Sequence, residues 1–233
     1  MISTILRFDI GKRSETDFRS AYRQLLMTLH SFPGRHHWFC GVNTPTQMPI
    51  PFEDEDAVLQ RLVERAELMG TKSFSAAVSS ENMGSRQPGL IEVGYSLGGG
   101  YMTVSLYRPD KLEANPTSLV AGIMLAVLEG EPATTFAFAD VYDKVHGEFQ
   151  YYKTTYATFP HRKCVGWMAY VRNKLSHQDL PIAAAVLPAL DGTIVISVNE
   201  AFDLANQDHI QRANEVEMDM NDMGLLEVTD ATF

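Results

Sequence analysis

The segment Leu90-Ile-Glu-Val-Gly-Tyr-Ser-Leu-Gly-Gly-Gly-Tyr-Met-Thr-Val-Ser-Leu-Tyr107 decides the fold class. Its two runs, Leu90 to Leu97 and Tyr101 to Tyr107, alternate apolar and polar residues with period two, the pattern of a strand with one buried face. Between them stands Gly98-Gly99-Gly100, and glycine reaches the positive φ angles of a tight hairpin turn without steric cost. A glycine-rich loop also cradles phosphate, but that use needs a following helix and a Lys-Ser/Thr pair, and here a strand follows. The segment is an antiparallel hairpin, and an antiparallel sheet is the frame for everything around it.

Upstream, residues 2 to 10 alternate imperfectly and predict a first strand, closed by Gly11-Lys12-Arg13. Ser14 is a candidate N-cap with Asp17 as an acidic capping-box partner, opening a helix through Phe18, Tyr22, Leu25, Leu26 and Leu29 that ends before Pro33-Gly34. Pro45, Pro49 and Pro51 predict a loop. Glu53, Asp54, Glu55 and Asp56 then open a second helix, because carboxylates favour a helix N-terminus; the same run is a candidate binding patch. Phe74 to Val78 predicts another strand.

Downstream, Asn115-Pro116 is a cap and first-turn pair for a helix reaching Gly130, and Thr134 to Val141 predicts a strand with Phe136 and Phe138 on one face. Tyr142 to Thr158 is aromatic and carries no clear period. Pro181 to Leu187 is a short helix candidate, Asp191-Gly192 a turn, and Thr193 to Asn199 a β-branched strand. Asp208 is the expected cap of a last helix with Ile210, Ala213, Val216 and Met220 inward, closed by Gly224. This order predicts an α+β protein with a mixed, mainly antiparallel sheet layered by helices. One domain, 1–233, is expected, with candidate internal halves 1–112 and 113–233 meeting near Pro109 to Pro116.

With 45% hydrophobic residues in 233, the chain can bury a sizeable core. Cys40 and Cys164 lie far apart in apolar surroundings with no metal-finger spacing, which predicts two buried thiols and no bound cofactor. No run is apolar and long enough to span a membrane, and the N-terminus lacks a signal-peptide core, so a cytoplasmic location is expected. The net charge is −10, and residues 191 to 233 hold ten carboxylates against the single Arg212. Such a field repels nucleic acid and attracts a basic partner, although acidic surfaces also serve solubility alone.

Two charge patterns follow. If the last helix is regular, Asp208, Arg212, Glu215, Asp219 and Asp222 form one stripe at spacings of three and four. From Lys153 to Lys174 there are five basic residues and no acid, so Arg162 and Lys163 form a positive pole that either packs against the acidic tail or stands as a separate patch. An enzyme reading would use His161, Asp203 and His209 in general-base chemistry, without a recognised spacing. Ser176 beside His177, and His36-His37 as a metal pair, are weaker still, since neighbours on a strand face opposite ways.

The basic turn opens a set of motifs: Phe159-Pro160-His161-Arg162, then Val165-Gly166-Trp167-Met168-Ala169-Tyr170-Val171, Leu180-Pro181, Gly192 to Val198, Phe202, His209-Ile210 with Ala213-Asn214 and Glu217, and Gly224-Leu225-Leu226. In that order, over about the last 75 residues, the chain resembles the immunity protein 52 family. The resemblance implies a non-catalytic cytoplasmic antitoxin that binds a cognate nuclease effector with a restriction-endonuclease-like domain, delivered by type VI secretion. It would be a monomer or homodimer when free. Within these motifs Gly166, Trp167 and Tyr170 are expected to be core, since glycine beside a large ring permits close packing. Toxin contacts are expected on Glu53, Asp54, Glu55, Asp56, Asp208, Glu215, Asp219 and Asp222. A small hydrolase or nuclease using His161, Asp203 and His209, or a chaperone-like secretion accessory protein, are the alternatives.

Overall fold

A computed structural model describes residues 3–14, 17–34, 37–81, 87–145 and 147–230. Its first half runs β1 (Ser3–Asp9), α1 (Phe18–His30), β2 (Phe39–Cys40), β3 (Ile50–Pro51), α2 (Glu55–Leu68), β4 (Ser75–Ser79), β5 (Ile91–Ser96) and β6 (Tyr101–Tyr107). A single 3-10 turn at Pro109–Lys111 leads into the second half. There follow α3 (Pro116–Gly130), β7 (Phe136–Val145), β8 (Glu148–Tyr151), α4 (Tyr152–Thr155), β9 (Met168–Val171), β10 (Ala185–Ala189), β11 (Gly192–Ile196) and α5 (Gln207–Asp222).

The glycine-turn hairpin is present, β5 pairing β6 from Ile91↔Leu106 to Ser96↔Tyr101. All the strands join one sheet in the order β10-β11-β9-β7-β1-β6-β5-β4-β2-β3, with β8 added on β7. Every ladder is antiparallel, and the sole parallel pairing among the described residues is the isolated bridge Ala139↔Gly166. The α+β expectation holds. Because β1 lies between β6 of the first half and β7 of the second, the two halves share one sheet.

Alternation along β1 sorts the two faces. Leu6 and Phe8 share a cluster with Val104 of β6, Ala137 and Ala139 of β7, and the inward residues of α1, α2 and α3. On the opposite face, Phe136, Phe138, Ala169 and Val195 pack with Val216 and Met220 of α5. Each fully buried side chain of this size contributes about 1.5–3 kcal/mol. The first turns of α5, through Ile210 and Ala213, reach the larger cluster with Tyr152 and Phe202.

Several local expectations change. Asp17, rather than Ser14, caps α1, its carboxylate accepting from the Arg19 and Ser20 amides. Asn206, rather than Asp208, caps α5 by accepting from the Asp208 amide. Pro51 sits in a two-residue strand at the sheet edge, where its missing donor costs no ladder bond. The predicted helix over Pro181 to Leu187 is instead a turn followed by β10, because the backbone of 185–189 finds partners in β11. The unplaced aromatic stretch forms the end of β7, then β8 and α4.

The β10–β11 hairpin turns on Leu190-Asp191, with Gly192 already in the strand. Leu190 takes φ +49 and is half exposed, a conformation that costs an L-residue roughly 1–2 kcal/mol. Leu190→Gly is expected to raise the urea midpoint, by up to about 1 kcal/mol in stability. A lower midpoint would show that the leucine makes compensating contacts.

Candidate functional site

Helix α5 presents two unlike faces. Ile210, Ala213, Val216 and Met220 are buried, as the period predicts, and the capping sequence Met223-Gly224 closes the helix with Gly224 at φ +72 and the Leu225 amide donating to the Met220 carbonyl. Asp208 and Asp222 are exposed on the outer side, with Glu215 and Asp219 half-buried along the same stripe. Glu215 lies 3.8 Å from Arg212 and accepts from Gln211. Among the described residues, no ion pair reaches Asp208, Asp219 or Asp222. The last turn of α5 contains no basic residue. Carboxylates near a helix C-terminus oppose the macrodipole by about 0.3–1 kcal/mol each, and like charges at this spacing add a few tenths of a kcal/mol, roughly. The helix thus carries Asp219 and Asp222 against its own stability.

The other acidic run has a different fate. Asp54 caps α2 by accepting from the Ala57 amide, Glu55 is paired with Arg19 and, at 3.1 Å, with Arg23, and Asp56 lies 3.4 Å from Arg19. Glu53 stands 3.9 Å from His30. Helix α1 therefore neutralises much of the 53–56 run, and the two acidic candidates are not equivalent.

The basic turn packs internally. Lys163 bridges Asp9 at 3.0 Å and Glu227 at 2.8 Å and lies over the Phe136 ring. Burial works against its ammonium, but the bonds to Glu227 and Asp9 prevail and raise its pKa. Arg162 donates to the Leu226 carbonyl, and the His161 carbonyl accepts from the Thr229 and Asp230 amides. Pro160 is exposed at the head of this turn. Behind it, Trp167 and Tyr170 are fully buried, the indole donating to the Val198 carbonyl and the Tyr170 hydroxyl to Asp191. Gly166 holds φ +59 against the Ala139 carbonyl.

Glu217, quoted above only within a motif, proves central. It is 1% exposed, and its two carboxylate oxygens accept from the Val165 and Thr158 amides, each at 3.0 Å. Burial raises its pKa, opposed by those backbone bonds. The signal was present in the spacing, since Glu217 falls four residues after Ala213 and three before Met220, on the inward face. Asp140, also buried and with its pKa raised by burial, accepts from the Lys153 amide nearby. A third buried carboxylate, Glu131, binds Arg13, Tyr95 and Gln24 between the sheet and α1.

The enzyme constellation does not assemble. His209 Nδ1 accepts from the Asp203 amide, and the Asp203 carboxylate turns to the Ala205 amide. His161 is fastened to 229–230, beyond the opposite end of α5. Ser176 bonds Asp179 in a turn. His36 lies outside the described residues, and among those described no group of His, Cys, Asp or Glu is placed to hold a metal. Both cysteines are buried and unpaired. No helix among the described residues is long and apolar enough to cross a membrane.

What the fold defines is a class: α+β proteins built on one broad antiparallel sheet with helices on both faces. Within solved structures the chain is similar to the Pseudomonas aeruginosa T6SS protein PA0821, at TM-score 0.52 and 14% identity, over 94% of this chain and 75% of that one. At that identity the likeness is one of fold. No family model and no curated relative matches the chain.

Proposed function

We propose that the chain is a cytoplasmic immunity protein of a type VI secretion system, which binds a cognate nuclease toxin and blocks it without catalysis of its own. The observation that carries this reading is the outer stripe of α5, where Asp208, Asp219 and Asp222 have no counter-cation among the described residues and the last two oppose the helix dipole. A residue kept at a cost to stability points to a use outside the fold. The motif resemblance to the immunity protein 52 family and the fold likeness to a protein described as belonging to a T6SS both support the reading. A nuclease cleft must attract phosphate and is therefore basic, so an acidic helix face occupies it by charge complementarity and speeds the encounter. The neutralised 53–56 run is the lesser contact surface.

Co-expression with the product of the adjacent gene tests the role. Rescue from a toxic nuclease supports immunity, whereas improved solubility without rescue supports a chaperone-like accessory protein. The triple reversal Glu215→Lys, Asp219→Lys, Asp222→Lys is expected to weaken toxin binding about 10- to 100-fold and to flatten its salt dependence. Asp219→Lys and Asp222→Lys by themselves should leave the free protein equally or more stable, since the helix dipole then favours the new charges, whereas Glu215→Lys gives up the contact with Arg212. Unchanged affinity with an intact fold would eliminate this surface.

A further inference from the structure

The glycine turn between β5 and β6 borders a cavity of about 260 Å³, where the loop leaving α2 passes the start of β4. The glycines keep it open: a Cβ at Gly98 would lie 2.7 Å from the Ser73 hydroxyl, and one at Gly99 would lie 2.8 Å from that of Ser96 and run into the Tyr101 ring. Among the described residues the lining holds one charged side chain, Arg65, and no carboxylate, in a chain of net charge −10. No ion pair among them reaches Arg65, and the neighbouring group its charge meets is the Cys40 thiol, which burial holds protonated. The hydroxyls of the wall accept bonds and keep their own protons. Thr71 Oγ1 accepts from the Ser73 amide at 3.1 Å and Ser96 Oγ from the Gly99 amide at 3.2 Å. The Ser73 hydroxyl is buried with no partner among the described residues, a state that costs about 1–3 kcal/mol.

One guanidinium and three O–H groups, all donors, thus line a small space that offers them no carboxylate. A cation is disfavoured beside Arg65, and an apolar ligand would leave the donors unsatisfied. The end of α2 does not oppose an anion with bare carbonyls, because the Met69, Gly70 and Thr71 amides close those of Arg65, Glu67 and Ala66. The volume is below the usual range for drug-sized ligands and suits a compact group. We infer that this cavity binds a tetrahedral oxyanion, phosphate or sulfate, free or as the head of a small ester, with Arg65 as its counter-charge and Ser73, Thr71 and Ser96 as donors. It differs from a glycine-loop phosphate cradle, since the glycines here make room and the side chains make the bonds. The site shares no residue with the acidic stripe of α5, so it stands or falls separately from the toxin-binding reading.

The backbone amide resonances of Gly98 and Gly99 report on it, with Gly192 in the β10–β11 hairpin as internal control. Titration of the full chain at constant ionic strength with inorganic phosphate, and separately with phenyl phosphate, is expected to shift the two turn signals saturably and leave Gly192 unmoved. Tighter binding of phenyl phosphate identifies an ester, its ring resting on the half-exposed Tyr101, and tighter binding of inorganic phosphate identifies the free ion. Arg65→Gln should weaken binding about tenfold, since it removes the charge-assisted bond. Ser73→Ala should weaken it about threefold and yet leave the urea midpoint unchanged or higher, because the hydroxyl has no partner in the fold to lose. That split separates a ligand contact from a structural one. No saturable shift with either probe, an equal response to succinate, or an affinity indifferent to both substitutions would overturn the assignment.

Discussion

Gly166→Ala is expected to lose on the order of 4 kcal/mol or more of folding stability, a large share of the roughly 5–15 kcal/mol of an ordinary domain. Two costs combine at this position. The backbone holds φ +59, which disfavours an L-residue by about 1–2 kcal/mol. A Cβ there would also lie deep inside van der Waals contact of the Ala139 carbonyl oxygen. That oxygen cannot retreat cheaply, because it accepts the Trp167 amide at 3.0 Å and belongs to β7, which is held between β1 and β9. The Gly166 carbonyl is fixed as well, accepting from the Ser197 hydroxyl at 2.8 Å. Gly224→Ala is the control, since it has φ +72 but nothing within 4 Å of the added carbon. It should cost only the conformational part, about 1–2 kcal/mol. Urea unfolding of both variants decides the point, and equal losses would refute the close-approach argument.

The same position shows what sequence can and cannot convey. Glycine beside tryptophan predicts a close backbone approach, but not that the approaching backbone is β7. The β5–β6 hairpin was legible because period-two alternation and a glycine turn are both local. Strand β10 was not, since Pro181 to Leu187 lacks β-branched alternation and owes its extended state to hydrogen bonds from β11. At the candidate site, the α5 stripe followed from helical spacing alone. What separates it from the 53–56 run is Arg19 and Arg23 on another helix, a fact of packing with no local trace. Likewise the basic turn was seen as one pole of a charge pattern, while the partners of Lys163 come from Asp9 and Glu227, near the two ends of the chain.

Glu217 joins the candidate binding helix to the 158–165 segment, and its removal is the second large effect expected. Glu217→Ala should cost about 2–4 kcal/mol, because the Val165 and Thr158 amides both lose their acceptor and at least the former is buried away from water. Glu217→Gln should cost less, since the amide oxygen retains one of those bonds and no charge is buried. The pH dependence has a definite sign. Burial raises the Glu217 pKa above its ordinary value of 4.5, so the folded chain holds that proton more tightly than the unfolded one. Its contribution to stability is then complete below the unfolded value and is lost as pH rises through the raised folded value. Asp140 acts in the same direction for the same reason. Subtracting the urea midpoints of Glu217→Gln from those of the native chain across this window isolates Glu217, and the difference should move against the native chain as pH rises. A flat difference would mean that the carboxylate is already ionised, with the two amides fully compensating its burial. In either case Glu217 is what ties the inner face of α5 to the 158–165 segment. If the proposed toxin-binding role of the stripe holds, Glu217→Ala should therefore also weaken that binding, through the lost support of α5 and with the charge of the stripe unchanged.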